Sequence, residues 1–142
     1  MIRIVLAGAP LGKQRVRFTE EGHRPFTPQK TVNYEGRLAH AGQIVMERGG
    51  LSLLEGPLRV GLEIRMQVPS SKPLWWRTQA LDGRILPTKK PDADNVAKLL
   101  DALNLIVWAD DAQIIELHVT KLYHQAPALV VTVEELPTGV FQ

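Results

Sequence analysis

The chain has 142 residues, 44% of them hydrophobic, and a formal net charge of +2. That length suits one domain that buries about two thirds of its unfolded surface without staples, and the lack of cysteine excludes disulfides, thiolate nucleophiles and cysteine-based zinc sites. No stretch approaches the about 20 apolar residues of a membrane span, and the opening segment is too short and too alternating for a signal peptide, so a soluble cytoplasmic protein with no membrane contact is expected.

Ile2, Ile4 and Leu6 alternate with Arg3 and Val5 ahead of Gly8-Ala9-Pro10, which predicts a first strand stopped by turn residues. The Gly8 to Gly12 loop lacks a Gly-Lys-Ser/Thr ending and is not a phosphate-binding loop. Lys13 to Phe18 and Arg24 to Thr27, separated by the turn Thr19-Glu20-Glu21-Gly22, predict a basic hairpin or arm with its cations in water and Pro25 keeping the second segment on an edge. From Pro28 to Arg48 the residues Tyr34, Leu38, Ala41 and Val45 recur at helical spacing, with Thr27 as N-cap, Pro28 in the first turn and Gly49-Gly50 as the stop. Leu58, Val60, Leu62, Ile64, Met66 and Val68 then alternate without a break, the clearest strand in the chain. Pro69 to Pro73 closes it, and Leu74-Trp75-Trp76-Arg77 begins a short helix before a loop from Gly83 to Pro91. Of the two tryptophans, one covering the core is the simpler reading, and stacking on unpaired bases is the alternative.

Val96, Leu99, Leu100 and Leu103 form the apolar stripe of a further short helix ending near Asn104. Val107 and Trp108 lead to a turn at Asp110-Asp111, followed by strands from Ile114 to Leu122 and from Ala128 to Glu134. Helices on one mixed sheet make an α+β (α/β) single domain over 1–142, with Pro137 to Gln142 as a loose tail.

Acids dominate the chemistry. Asp92 and Asp94 stand two apart, and Asp110-Asp111 follows after one helical segment. Four carboxylates brought together repel unless cations hold them, and hard oxygen ligands suit Mg²⁺, with Mn²⁺ as a substitute. Pro91 biases Lys90 to extended geometry, in which Asp92 and Asp94 face one ion while Ala93 points away. Asp94, Lys98 and Asp101 recur on one helical face, which points Lys98 at the carboxylates. Each feature has a plainer explanation: Asp92 or Asp94 alone reads as readily as an N-cap, Asp110-Asp111 as turn residues, and Lys98 as an i,i+4 partner of Asp94. A capping need explains one acid, not four.

Residues 1–91 carry fifteen Lys/Arg against seven Asp/Glu and residues 92–142 carry two against eight, so the halves are +8 and −6. A basic surface that collects a polyanion beside an acidic pocket has this asymmetry, which points to a phosphodiester substrate, although scattered surface cations give the same map. The four histidines show no metal-ligand spacing; His118 and His124 share a strand face only if one strand runs through both.

The run Lys89-Lys90-Pro91-Asp92-Ala93-Asp94-Asn95-Val96-Ala97-Lys98-Leu99-Leu100-Asp101, followed by Trp108-Ala109-Asp110-Asp111-Ala112-Gln113, closely resembles the RusA family of Holliday-junction resolvases. The resemblance extends to Gly12-Lys13-Gln14-Arg15-Val16-Arg17-Phe18, to Tyr34 and to Lys121, leaving only the 70–88 segment and the tail unmatched. It implies a small α/β fold, a homodimer, and Mg²⁺-dependent cleavage of four-way DNA junctions. It also implies that Asp92, Asp94 and Asp111 are the essential metal-binding acids and Lys98 the active-site lysine, with Asp101 and Asp110 in support. Lys13, Arg15, Arg17, Lys89 and Lys90 are the expected contacts to DNA phosphates. A nuclease for flaps or other branched DNA, and a non-catalytic DNA-binding protein of the same fold, are the alternatives.

Overall fold

Strict alternation drives Leu58, Val60, Leu62 and Ile64 into the core and makes a central strand of their segment in the computed structural model, which describes residues 1–19 and 24–137. In chain order the elements are β1 (Ile2–Ala7), β2 (Arg17–Phe18), β3 (Pro25–Phe26), α1 (Gln29–Arg48), β4 (Leu58–Gln67), α2 (Leu74–Leu81), α3 (Ala93–Ala97), β5 (Ile114–His124) and β6 (Ala128–Glu135). Two 3-10 helices, Lys98–Leu103 and Asp111–Gln113, continue α3 and introduce β5. The main sheet has the order β1-β6-β4-β5, with β4 parallel to β5 and the other pairs antiparallel, so the expected mixed sheet with helices is what forms.

One face of that sheet packs against α1, α3 and the first 3-10 helix through Ile4, Leu38, Leu62, Val96, Leu99, Leu103, Leu129 and Val131. The other is solvated: on it Arg59 of β4 pairs with Glu116 of β5 and, at 3.2 Å, with Glu134 of β6, matching the cross-strand register. Such exposed pairs contribute little to stability.

The long helix differs from expectation at both its start and its stripe. Thr27 does not cap it; Pro28 occupies that position with extended geometry (φ −54°, ψ 143°), and its carbonyl accepts from the amides of Thr31 and Val32 at 3.0 and 3.2 Å. Tyr34 and Leu38 are buried as the spacing predicts, but Gly42 and Met46 replace Ala41 and Val45 at the centre of the contact. The cause is close approach: a Cβ at Gly42 would lie 2.8 Å from Leu103 Cδ2, so any larger residue there would force the buried Leu103 side chain to shift. At the other end Gly50, at φ +59°, takes the left-handed geometry that terminates the helix.

Among the described residues of the expected hairpin, Arg17–Phe18 pairs antiparallel with Pro25–Phe26, with Thr19 and Arg24 bonded beyond them. Lys13 to Val16 stay out of the ribbon: the Lys13 amide donates to the Asn95 carbonyl at 2.8 Å and the Gln14 amide to the Thr31 hydroxyl at 3.2 Å. The rest of the expected turn, His23 and the tail from Thr138 onward lie outside the described residues. The short helix expected to begin at Leu74 runs to Leu81, just ahead of the Gly83 loop; Trp76 covers β5 edge-on to Tyr123 at 5.5 Å, while Trp75 stays exposed.

Candidate active site

The acidic segment folds as a change of helical pitch. Asp92 is extended (φ −71°, ψ 141°) at the N-cap of α3, but Ala93 already begins the helix, so the extended spacing expected to turn Asp92 and Asp94 the same way ends at Asp92. Asp94 lies exposed in the first turn, where its charge suits the positive helix end, and makes no side-chain hydrogen bond or ion pair among the described residues. Asp92 makes no capping bond either; its Oδ2 accepts from Asn95 Nδ2 at 3.3 Å, and Asn95 Oδ1 accepts from Lys98 Nζ at 3.4 Å. Lys98 therefore approaches Asp92 through Asn95, rather than pairing with Asp94 one α-turn away.

From Lys98 onward the helix tightens to three residues per turn, which stacks Lys98, Asp101 and Asn104 on one edge. With Asp92 and Asn95 before them, every third residue from 92 to 104 is polar, and the buried leucines hold the other side. Leu105 then adopts φ 65°, a left-handed geometry uncommon for leucine, and its amide reaches the Trp108 carbonyl at 2.6 Å, folding the chain back on itself. The reversal seats Trp108 in the core with its Nε1 donating to Asn104 Oδ1 at 2.7 Å.

Asp110 and Asp111 divide two roles. Asp110 caps the second 3-10 helix: its Oδ1 accepts from the Ala112 amide at 3.1 Å, and the Asp110 amide donates to Gln113 Oε1 at 2.8 Å. The Ala112 amide holds the Asp110 carboxyl below its ordinary range. The Asp111 carboxyl is pushed up, first by the Asp110 side chain against it, then by partial burial and by the charges of Asp110 and Asp101, against a lowering contact from Asn104. The fold thus brings the second acidic pair to the far end of the polar edge, at Asp101 and Asn104.

Among the described residues no three Asp, Glu or His side chains are grouped closely enough to hold an ion as a ready-made cage. Exposed carboxylate oxygens at Asp92, Asp94 and Asp111 are nevertheless donors of the type that a hard divalent cation takes. His118 and His124 do lie on one strand, β5, but join no such group.

The expected basic contacts separate in space. Arg15, Arg17 and Lys90 are exposed and, with Gly12 to Val16, Pro91, Asp92 and Asn95, line an open groove of about 860 Å³ that runs from the arm to the start of α3. Lys89 is exposed, and its carbonyl accepts from Lys121 Nζ, tying the loop to β5. Lys13 turns inward, with Nζ 2.9 Å from Asp101 and 3.7 Å from Glu35. Asn95, Asn104 and Glu35 were not singled out by sequence reasoning. The polar three-residue rhythm carries a signal for the two asparagines; Glu35 has none, because its partners come from distant segments.

The family model described as Endodeoxyribonuclease RusA matches residues 7–134. The chain is also 32% identical over 88 residues to an uncharacterized protein, YqaN, of Bacillus subtilis (strain 168), a match spanning 60% of this chain and 62% of that relative's length. Among the described residues no helix is long and apolar enough to cross a membrane.

Proposed function

The chain belongs to the RusA family of endodeoxyribonucleases, and on that premise we propose that it is a cytoplasmic, Mg²⁺-dependent enzyme that resolves four-way DNA junctions by paired symmetric nicks in recombination and repair. The observation that carries this reading is the continuity between the cationic groove and the acidic edge: a strand whose phosphates follow Arg15, Arg17 and Lys90 arrives at Asp92 and Asn95. Asp92, Asp94 and Asp111 would hold the Mg²⁺, for which Mn²⁺ substitutes. When bound, the metal lowers the pKa of a water and stabilises the leaving oxygen of the phosphodiester.

The chain's own residues do the rest. Asn95 orients Asp92 and Lys98 together, since it bonds to both. Lys98 supplies a positive charge to the phosphate as its negative charge grows, an interaction strongest in the transition state. Asp110 fixes the turn that carries Asp111. A junction offers two symmetry-related strands, so a two-fold homodimer would present one acidic set to each. Light scattering should accordingly give about twice the chain mass of 15.8 kDa.

The deciding experiment is incubation of end-labelled four-way, flap and linear duplex DNA with the protein, with and without Mg²⁺. Paired symmetric incisions confined to the four-way substrate and to Mg²⁺ are expected; preferred cutting of flaps would favour a branched-DNA nuclease, and no cutting a binding protein.

Two variants follow from the groove and the polar edge. Reversing charge at Arg15 and Arg17 should weaken junction binding and flatten its salt dependence, each lost phosphate contact removing about 0.9 from the log–log slope. Filter binding across a salt series measures it, and an unchanged slope moves the DNA path elsewhere. Lys98→Ala should lower the single-turnover rate by about a hundredfold while affinity stays nearly constant. The reverse pattern, affinity lost and rate kept, would make Lys98 a phosphate anchor.

A further inference from the structure

Lys13 joins three parts of the molecule that are far apart in sequence. Its side chain, 26% exposed, reaches Asp101 of the first 3-10 helix at 2.9 Å and Glu35 of α1 at 3.7 Å, while its amide bonds to the carbonyl of Asn95 in α3 at 2.8 Å. Asn95 and Asp101 flank Lys98 on the polar edge, and the charge of Asp101 also bears on Asp111. Glu35 and Asp101 therefore share one ammonium. Burial raises the Glu35 carboxyl and the charge of Asp101 adds to this, while Lys13 opposes both; without the cation the two acids would repel each other.

We propose that Lys13 and Glu35 are positioning residues: they clamp Asp101, and through it the acidic edge, to the base of the basic arm, so that the DNA groove and the acids keep a fixed relation. The proposal rests on the endonuclease reading, gives Glu35 a role, and removes Lys13 from the phosphate contacts. A part-exposed ion pair adds little to global stability, so the clamp should register in alignment at the reacting phosphate, where misplacement by about 1 Å is costly.

Three measurements on Lys13→Ala, Lys13→Arg and Glu35→Gln test it: the salt slope of junction binding in EDTA, the single-turnover cleavage rate in Mg²⁺, and hydrogen exchange at the amides of residues 13 and 14. In Lys13→Ala the slope should match wild type, the rate should fall about tenfold, and the two amides should exchange faster. Lys13→Arg should recover most of the rate and the protection, and Glu35→Gln should lose about threefold in rate. A slope reduced by about 0.9 in Lys13→Ala would make Lys13 a phosphate contact and overturn the clamp. So would an unchanged rate, or unchanged exchange. If wild type cuts no DNA, the endonuclease reading fails by itself; exchange then decides the clamp, which stands if protection is lost in Lys13→Ala and kept in Lys13→Arg, and falls otherwise.

Discussion

Asp94→Asn is expected to lower single-turnover cleavage of a four-way junction by about a thousandfold, equivalent to about 4 kcal/mol of transition-state stabilisation, while junction affinity stays within about twofold of wild type. The asymmetry follows from where Asp94 sits. Its side chain is exposed in the first turn of α3 and has no hydrogen-bond or ion-pair partner among the described residues, so asparagine removes charge without removing a contact of the fold. The fold should notice only the helix dipole, for which an acid at the N-terminus is worth about 0.3–1 kcal/mol. Rapid-quench kinetics with excess enzyme, paired with binding in EDTA and a thermal melt, separate the two roles. A near-wild-type rate with a lowered melting temperature would reduce Asp94 to a helix-stabilising acid.

Trp108→Ala should cost about 3–5 kcal/mol of stability, the range for truncating a large aromatic in a packed core. Trp108 is the largest of the side chains that are fully buried, at 0% exposure, and its indole N–H is bonded to Asn104. The backbone around it is equally committed: the Leu54 amide donates to the Val107 carbonyl at 2.9 Å, and the Ala109 amide to the Leu54 carbonyl at 3.3 Å. For a chain of this size the melting temperature should fall by about 10–17 °C. Trp108→Phe keeps most of the volume and should recover more than half of the loss, the remainder including about 1 kcal/mol for the hydrogen bond. Urea titration decides it: the midpoint should fall with little change in slope, whereas an unmoved midpoint would mean the aromatic is not needed to hold the reversal. Because Asn104 also contacts Asp111, the alanine variant should cut more slowly even where it remains folded.

Local periodicity determined much of the fold, and that much was legible in the sequence. The alternation from Leu58 onward specifies a strand with one buried face whatever it pairs with, and Tyr34 and Leu38 mark the inner face of α1 for the same reason. The recurrence of Asp92, Asp94, Lys98 and Asp110-Asp111 within twenty positions, and the excess of cations before residue 92, were likewise visible as residue types and spacings. Tertiary structure decided what those groups face. Gly42 rather than Ala41 centres the α1 contact because Leu103, 61 positions later, needs the space. The pitch change at Lys98 replaced the expected α-helical face of Asp94, Lys98 and Asp101 with an edge that runs from Asp92 through Asn95 to Asn104. Lys13 reads as one more cation of a basic arm until α1 and the 3-10 helix close on it from both sides. A residue's period is set by its own backbone, but its partner is set by which distant segments the core draws together.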